Sequence, residues 1–569
     1  LFKLVLILIL IITTTFLELV GIGFIPIYLD IIINPEKLHK YLYFDIIKNF
    51  FIISDYKSTI ITISSILVLF FVFKNLIILF LNFLQLEFIK NLNLNNSKKL
   101  FKIYLTSSYN EIKNKYSPDL IQRNVTGEVI RASKYLESYI IILREILVVL
   151  AILTLLFFIN FKTTLIVIVF LGSFSLLFQS LIKSKVLSLS KKAQFESGQI
   201  NKQILNVFGS IKSTILSHKQ NFFTNKFNTS NIQVHKLNFW VSLLSRMPKI
   251  ILEVLAVSSI VIIVILMMFL NDFKTLDQSL TFLALLTVAI VKLFPSINAI
   301  NSHLATLRSN YISLDLVTKQ LADHDLKNFE DLNKKVKKLK EKKIDISFNK
   351  HLEVKDLSYK YEDSKNMIFD KVSLSINSGH IIGILGESGS GKSTFLDLLS
   401  GLIKPVNGKI CVDGIDINLN LKDWQKNIGY ITQNTFLMHG SVKENIAFGI
   451  EDINIDKKNL LNAIELSQLK NFIEKLPDGV NTDIFYNSSN ISGGQAQRIA
   501  IARALYRKNK ILILDESTNS LDLQTERKFL GDLIKLKNIC SIILVSHKLE
   551  TLSICDQIYE LKNKKLVKF

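Results

Sequence analysis

Six apolar stretches, each long enough to cross a bilayer as a helix, occupy the first 325 residues and dominate what this chain can fold into. A hydrocarbon core of roughly 30 Å needs about 20 apolar residues at about 1.5 Å per helical residue. Residues 4–33, 59–88, 139–161, 163–186, 248–270 and 277–300 meet that length, carry few charges and end beside polar or basic residues. Composition agrees, because 49% of the residues are hydrophobic while the formal charge is still +21. A chain this apolar and this basic is neither disordered nor wholly soluble. Cys411, Cys540 and Cys555 show neither a disulfide framework nor metal-ligand spacing. The first apolar run is too long for the core of a signal peptide, so no cleavable leader is expected.

Charge placement sets the topology. Residues 89–135 hold nine Lys/Arg against three acids, and residues 187–246 hold eight against one. Segments rich in Lys and Arg stay on the cytosolic side. Both long loops, both termini and everything after the sixth span are therefore expected inside, in a multi-pass protein of the inner (plasma) membrane. The two loops are helix-compatible and are predicted to prolong the membrane helices into the cytosol. From about residue 345, short β-branched runs alternate with amphipathic helical patterns and Gly-rich turns, as in an α/β domain. The expected fold class is an all-α polytopic membrane domain followed by an α/β domain. The division falls at 1–325, a linker at 326–347, and 348–569. The run Asn333–Lys343 (NKKVKKLKEKK) reads as a solvated linker helix, with anionic-lipid contact as its alternative.

The α/β part carries a phosphate-binding loop. Residues Gly386, Glu387, Ser388, Gly389, Ser390, Gly391, Lys392, Ser393 and Thr394 fit G-x-x-x-x-G-K-[ST], after the apolar run Ile381–Leu385 and before Phe395–Leu399. Strand, Gly-rich loop and helix in that order let backbone N–H groups and a helix N-terminus cradle phosphates. Lys392 is expected on the β/γ-phosphates of ATP and Ser393 on Mg²⁺. A second apolar run, Ile511–Leu514, ends in Asp515 and Glu516. Asp515 is expected at a strand end, holding Mg²⁺, with Glu516 polarising the attacking water.

Ile491-Ser492-Gly493-Gly494-Gln495 then completes a pattern. The C-terminal part resembles an ABC-transporter nucleotide-binding domain, with Ile in place of the usual Leu before S-G-G-Q. The resemblance implies an adenine-stacking role for Tyr361 and a Mg²⁺-sensing role for Gln433. It also implies a D-loop at Asn519-Ser-Leu-Asp522 and a γ-phosphate contact for His547. It further implies a dimer, most simply of two copies, in which the Ser492–Gln495 signature of one chain closes over the phosphate loop of the other. Two departures stand out: Thr482–Ser488 lacks the Gly/Glu loop usual in exporters, and Ala496 replaces a basic residue.

Six spans followed by this domain resemble the exporter class of ABC transporters over essentially the whole chain. The stretches Thr126–Val129, Met247–Glu253 and Lys292–Asn298 are similar to the bacterial flippase of lipid-linked oligosaccharides. That resemblance implies basic cargo contacts at Lys74, Lys249 and Lys292. Each is Lys, a point charge rather than a bidentate fork, and a further basic position corresponds to Ala299. By depth, Lys74 and Lys292 lie about 22 Å from the outer side, and intramembrane cations of this kind are functional or paired. The segment Leu38–Phe51 reads as an interfacial helix or an ordinary outer loop. The expected activity is ATP-driven flipping of a polyprenyl-pyrophosphate saccharide or related anionic glycolipid. A peptide, drug or lipid A-type exporter and an ATP-gated channel are the alternatives. Six spans exclude a soluble nucleic-acid ATPase.

Overall fold

The structure is a computed structural model. It describes residues 2–33, 56–159, 161, 164–165, 168–270, 276–338, 345–361, 364, 366–433, 435–484, 491–518 and 523–569. The outer segment Leu38–Phe51, the D-loop Asn519–Asp522 and Phe485–Ser488 of the departing loop lie outside the described residues. Two compact units emerge. One comprises Leu1–Thr106 and Tyr116–Asp331; the other comprises Leu332–Phe569 together with Ser107–Lys115. The second therefore includes a nine-residue piece that the sequence reading assigned to the membrane domain.

The first unit is helical: α1 (Phe2–Ile33), α2 (Tyr56–Thr106), α4 (Pro118–Gln122), α5 (Val129–Ile159), α6 (Ser173–Gly209), α7 (Ile211–Leu216), α8 (Gln220–Leu270) and α9 (Leu276–Lys338). Helix α3 (Tyr109–Lys115) belongs to the other unit. Helix α2 has 51 residues, about 76 Å of helix against a hydrocarbon core of about 30 Å. Its polar C-terminal half thus continues well past the apolar part, as the basic loops suggest. Four described helical stretches are long and apolar enough to span: Phe2–Ile32, Ile60–Thr106, Pro118–Ile159 and Leu283–Asp323. The expected spans at 163–186 and 248–270 include residues, or side chains, outside the described ones.

Ser117 starts α4 by accepting from the Leu120 N–H at 3.4 Å, with Pro118 in the first turn. A π-helical turn, Arg123–Glu128, then feeds α5. It delivers Glu128, which is fully buried, to Ser313 at 2.6 Å, Arg131 at 3.3 Å and Arg123 at 3.6 Å. The two arginines and the serine hydroxyl satisfy a carboxylate that would be costly to bury alone. Ile152 and Leu156 of α5 pack on Leu286, Ala289 and Leu293 of α9, with Ile22 of α1.

The second unit is built on β1 (His351–Tyr359), β2 (Phe369–Asn377), β3 (Ile381–Leu385), β4 (Asn407–Val412), β5 (Ile415–Asp416), β6 (Ile428–Ile431), β7 (Gly440–Ser441), β8 (Asp483–Ile484), β9 (Ile511–Asp515), β10 (Ser541–Ser546), β11 (Gln557–Lys562) and β12 (Lys565–Lys568). A six-stranded sheet runs β12-β11-β3-β10-β9-β6, parallel except for β12. Its inner strands are continuous apolar runs (IIGIL, ILILD, SIILVS), as a sheet covered on both faces requires. A four-stranded antiparallel sheet, β2-β1-β4-β5, stands beside it. Helix α10 (Lys392–Leu399) joins the two in one core, where Phe395 meets Phe369 edge-on at 5.9 Å.

Candidate nucleotide site

The parallel strands place the chemistry at their C-terminal ends, where open α/β sheets bind ligands. The loop from β3 turns through Gly389 (φ +83°) and Gly391 (φ +101°) into α10. Gly391 has to be glycine: a Cβ there would sit 2.9 Å from Ile368 and 3.1 Å from Phe369. A Cβ on Gly386 would come within 2.7 Å of Ser390 Oγ, itself buried without a partner. Lys392 opens the helix and is buried. Its ammonium donates to the carbonyls of Gly386 at 2.8 Å and Glu387 at 2.9 Å, and pairs with Glu516 at 3.1 Å.

The acids come from β9. Asp515 ends the strand and is hydrogen-bonded to Ser393. Tyr430, on the neighbouring β6, donates its hydroxyl to Asp515 Oδ2 at 3.1 Å. Burial pushes the Asp515 carboxyl above the usual range, against the pull of those two donors. Burial and the adjacent Asp515 push the Tyr430 phenol far up, so it stays protonated and donating. Glu516 leaves the strand in the left-handed region (φ +48°), which turns its side chain toward the loop. There it pairs with Lys392 and accepts from Gln433 Nε2 at 3.3 Å. Tyr361 shares a 2.9 Å hydrogen bond with Thr394.

Phosphate loop, Tyr361, Gln433, Asp515 and Glu516 thus gather on one strand edge. Glu387, Ser388, Gly389 and Ser393 are exposed there. His547 follows the end of β10 and is exposed. Ser492 and Gln495 do something local: each satisfies the other's backbone N–H, at 3.3 and 2.8 Å, capping α11 (Gly493–Tyr506). Ser492 and Gly493 are themselves exposed, and Gly494 partly so. The sequence reading missed Tyr430, whose partner lies 85 residues away. It also missed α3, where Lys113 approaches Asp397 of α10 at 3.9 Å. Burial nevertheless pushes the Asp397 carboxyl up.

These residues fit a Mg²⁺-nucleotide. The ammonium, the unpaired Ser390 hydroxyl and the tight glycines form a cradle for phosphate, and Ser393 with Asp515 offers oxygen ligands of the kind Mg²⁺ takes. Among the described residues no group of three His, Cys, Asp or Glu could hold a metal alone.

In the helical unit, the three lysines do not share one environment. Lys74 is 2% exposed, pairs with Glu18 of α1 at 2.7 Å and lies over the Phe71 ring. Lys292 is 40% exposed and pairs with the other oxygen of Glu18 at 2.6 Å. A cavity of about 210 Å³ is lined by Lys292, Glu18, Arg144 and Glu145 but not by Lys74. Lys249 is on α8 and exposed. Pairing, rather than an open row of cations, describes the first two.

Residues 369–519 match the family profile described as ABC transporter. The lipid A-core flippase of Coxiella burnetii is 37% identical over 217 residues, 38% of this chain and 37% of that protein. The leukotoxin translocation ATP-binding protein LktB of Mannheimia haemolytica is 37% identical over 230 residues, 40% of this chain and 31% of that one. ABC transporter B family member 29 of Arabidopsis thaliana, a chloroplastic protein, is 36% identical over 216 residues, covering 38% and 34%. The chain thus spans about a third of the length of the curated relatives it matches. A bacterial Atm1-family ABC exporter solved with ATP bound superposes with a TM-score of 0.77, covering 99% of this chain and 95% of that one at 17% identity. The chain therefore shares the fold of that exporter, a helical part followed by an α/β domain, and within the α/β domain residues 369–519 match the ABC-transporter profile.

Proposed function

We propose that the chain is one half of an ATP-driven exporter, working as a dimer of like subunits in the inner membrane with its ABC domains in the cytoplasm. The observation that carries this is the convergence of Lys392, Ser393, Gln433, Asp515 and Glu516 on one sheet edge, in a chain with an exporter fold from end to end. Ser393, Asp515 and Gln433 would hold Mg²⁺, which when bound would neutralise charge on the phosphates. Lys392 exchanges its carbonyl and Glu516 contacts for phosphate oxygens. Glu516, so released, is the general base that takes a proton from water. Tyr361 stacks on the adenine, His547 contacts the γ-phosphate, and the partner copy supplies Ser492–Gln495.

The cargo we infer is an anionic lipid, a polyprenyl-pyrophosphate saccharide or a related glycolipid moved to the outer leaflet, with cationic contacts among Lys74, Lys249 and Lys292. A lipid A-type or peptide cargo is the second reading, favoured by the relatives named for lipid A-core and leukotoxin. Their similarity covers 38–40% of this chain. Purified protein in proteoliposomes containing fluorescent polyprenyl-pyrophosphate oligosaccharide tests both levels. ATP-dependent loss of label accessibility is expected for the native chain and not for Glu516→Gln. Glu516→Gln that hydrolysed ATP at the native rate would remove Glu516 as the base. Healthy ATPase without translocation of this lipid would transfer the assignment to the second reading.

A further inference from the structure

A short piece of chain from between α2 and α4 brings a charge to the phosphate-loop helix. Helix α3 (Tyr109–Lys115) groups with the α/β unit. Its Lys113 ammonium stands 3.9 Å from Asp397 Oδ2 and 5.5 Å from the centre of the Tyr109 ring. Asp397 follows Lys392 by five residues on α10, about 7.5 Å further along the helix. It is 6% exposed, and its carbonyl accepts from the Leu402 and Ile403 N–H groups at 2.9 and 3.3 Å, which fixes its place. Burial pushes its carboxyl up, Lys113 pulls it back, and Asp515 adds to the push. The Tyr430 phenol, raised first by burial, also feels Asp515, Asp397 and Tyr109. Two part-buried or buried carboxylates, a tyrosine and α3 thus share one electrostatic neighbourhood. Among the described residues, Lys113 is the cation that acts on Asp397. A buried carboxylate without a cation is costly, and here it would also repel an anionic nucleotide.

We propose that Lys113 is a positioning residue of the nucleotide site: by neutralising Asp397 it removes a repulsive charge from behind the phosphate loop, and so raises the affinity for ATP. This inference rests on the nucleotide-site reading and adds to it a residue from outside the α/β stretch of sequence. Lys113 is 51% exposed, and solvent screening on that side limits the effect to a few-fold. The sign is definite. Without the lysine, the site meets the bare Asp397 charge. Without that charge, the lysine is left in excess and favours an anion. Without both, the balance is restored. A contact that merely held α10 in place would give weaker binding in all three cases.

The test uses the full chain in nanodiscs and a fluorescent ATP analogue, titrated in EDTA, where the nucleotide carries its full negative charge. Lys113→Met should bind about threefold more weakly than the native chain and Asp397→Asn about threefold more tightly, while the double variant should return to the native affinity. Lys113→Arg keeps the charge and should bind as the native chain does. So should Lys115→Met, which removes an exposed lysine of the same helix. With Mg²⁺ the nucleotide is less anionic, and the differences should shrink; raised salt should shrink them too. Asp397→Asn decides the matter if Lys113→Met does not fold, because a structural role and a charge role give it opposite signs. Unchanged binding in either single variant, or weaker binding in Asp397→Asn, overturns the proposal. A native chain that did not bind the analogue would instead refute the nucleotide-site reading itself.

Discussion

Replacing Tyr430 with Phe tests the metal side of the nucleotide site with one atom. The hydroxyl donates to Asp515 Oδ2 at 3.1 Å, and Asp515 has Ser393 as its other protein donor. A hydrogen bond to a charged group is worth about 1.5–3 kcal/mol. The partial exposure of Asp515 argues for the lower end, about 1.5 kcal/mol, a little over tenfold in an equilibrium constant. The loss falls on the carboxylate form proposed to hold Mg²⁺, so half-saturating Mg²⁺ should rise about tenfold. The pH dependence follows with a definite sign. Burial already pushes the Asp515 carboxyl up, and removing a donor pushes it further. The acidic limb of the ATPase profile should then move to higher pH. A fluorescent ATP analogue, titrated in EDTA and again with Mg²⁺, separates the effects: affinity in EDTA should be unchanged and the Mg²⁺ requirement raised. An unchanged Mg²⁺ requirement would refute the reasoning. So would an equal loss of affinity in EDTA, which would mean that Tyr430 shapes the loop and not the carboxylate.

Further expectations concern the loop and the fold around it. Gly391→Ala puts a Cβ 2.9 Å from Ile368 at a backbone angle of φ +101°; nucleotide binding should fall at least tenfold, measurable with the same analogue, while the protein remains folded by circular dichroism. Glu516→Gln should retain ATP binding and lose at least a hundredfold in turnover, the scale of general-base catalysis, read by phosphate release. Asp413 accepts from the backbone N–H groups of Asn349, Lys350 and His351 at 2.8 to 3.0 Å. Burial works to raise its carboxyl, but those donors win and hold it below the usual range. Its contribution is thus complete above about pH 4 and is lost as pH falls through the lowered folded-state value. Asp413→Ala should cost about 1 kcal/mol at neutral pH and show a smaller loss of stability on acidification, checked by chemical denaturation at both pH values.

What could be read from the chain alone follows from how local each requirement is. A phosphate cradle needs closely spaced glycines, a lysine and a helix start, so nine neighbouring residues from Gly386 to Thr394 announce it. Asp515 and Glu516 were legible because a strand end beside such a loop is a place where carboxylates have work to do. Tyr430 was not, since its partner depends on β6 and β9 lying side by side with Tyr430 opposite Ile513. Spanning helices were legible from length and apolarity. The pairing of their charges was not, although a signal existed: Glu18 stands within the first apolar stretch, where a carboxylate demands a partner. Attention to the lysines alone pointed toward open cationic contacts, whereas the structure closes Lys74 on Glu18. Similarly, nothing in YNEIKNK announces that α3 groups with the α/β unit and not with the helices that flank it in sequence.

That last feature bears on anyone who would study the ATPase by cutting it out. The α/β unit is not one uninterrupted length of chain, so expression from Leu332 onward omits Ser107–Lys115. Such a fragment would lose the Lys113 contact with Asp397, in the same helix that presents Lys392 to phosphate. A synthetic peptide of those nine residues, added in trans, becomes a reagent: it can restore what the excision removes, and the dose at which it does so measures how firmly this borrowed helix is held.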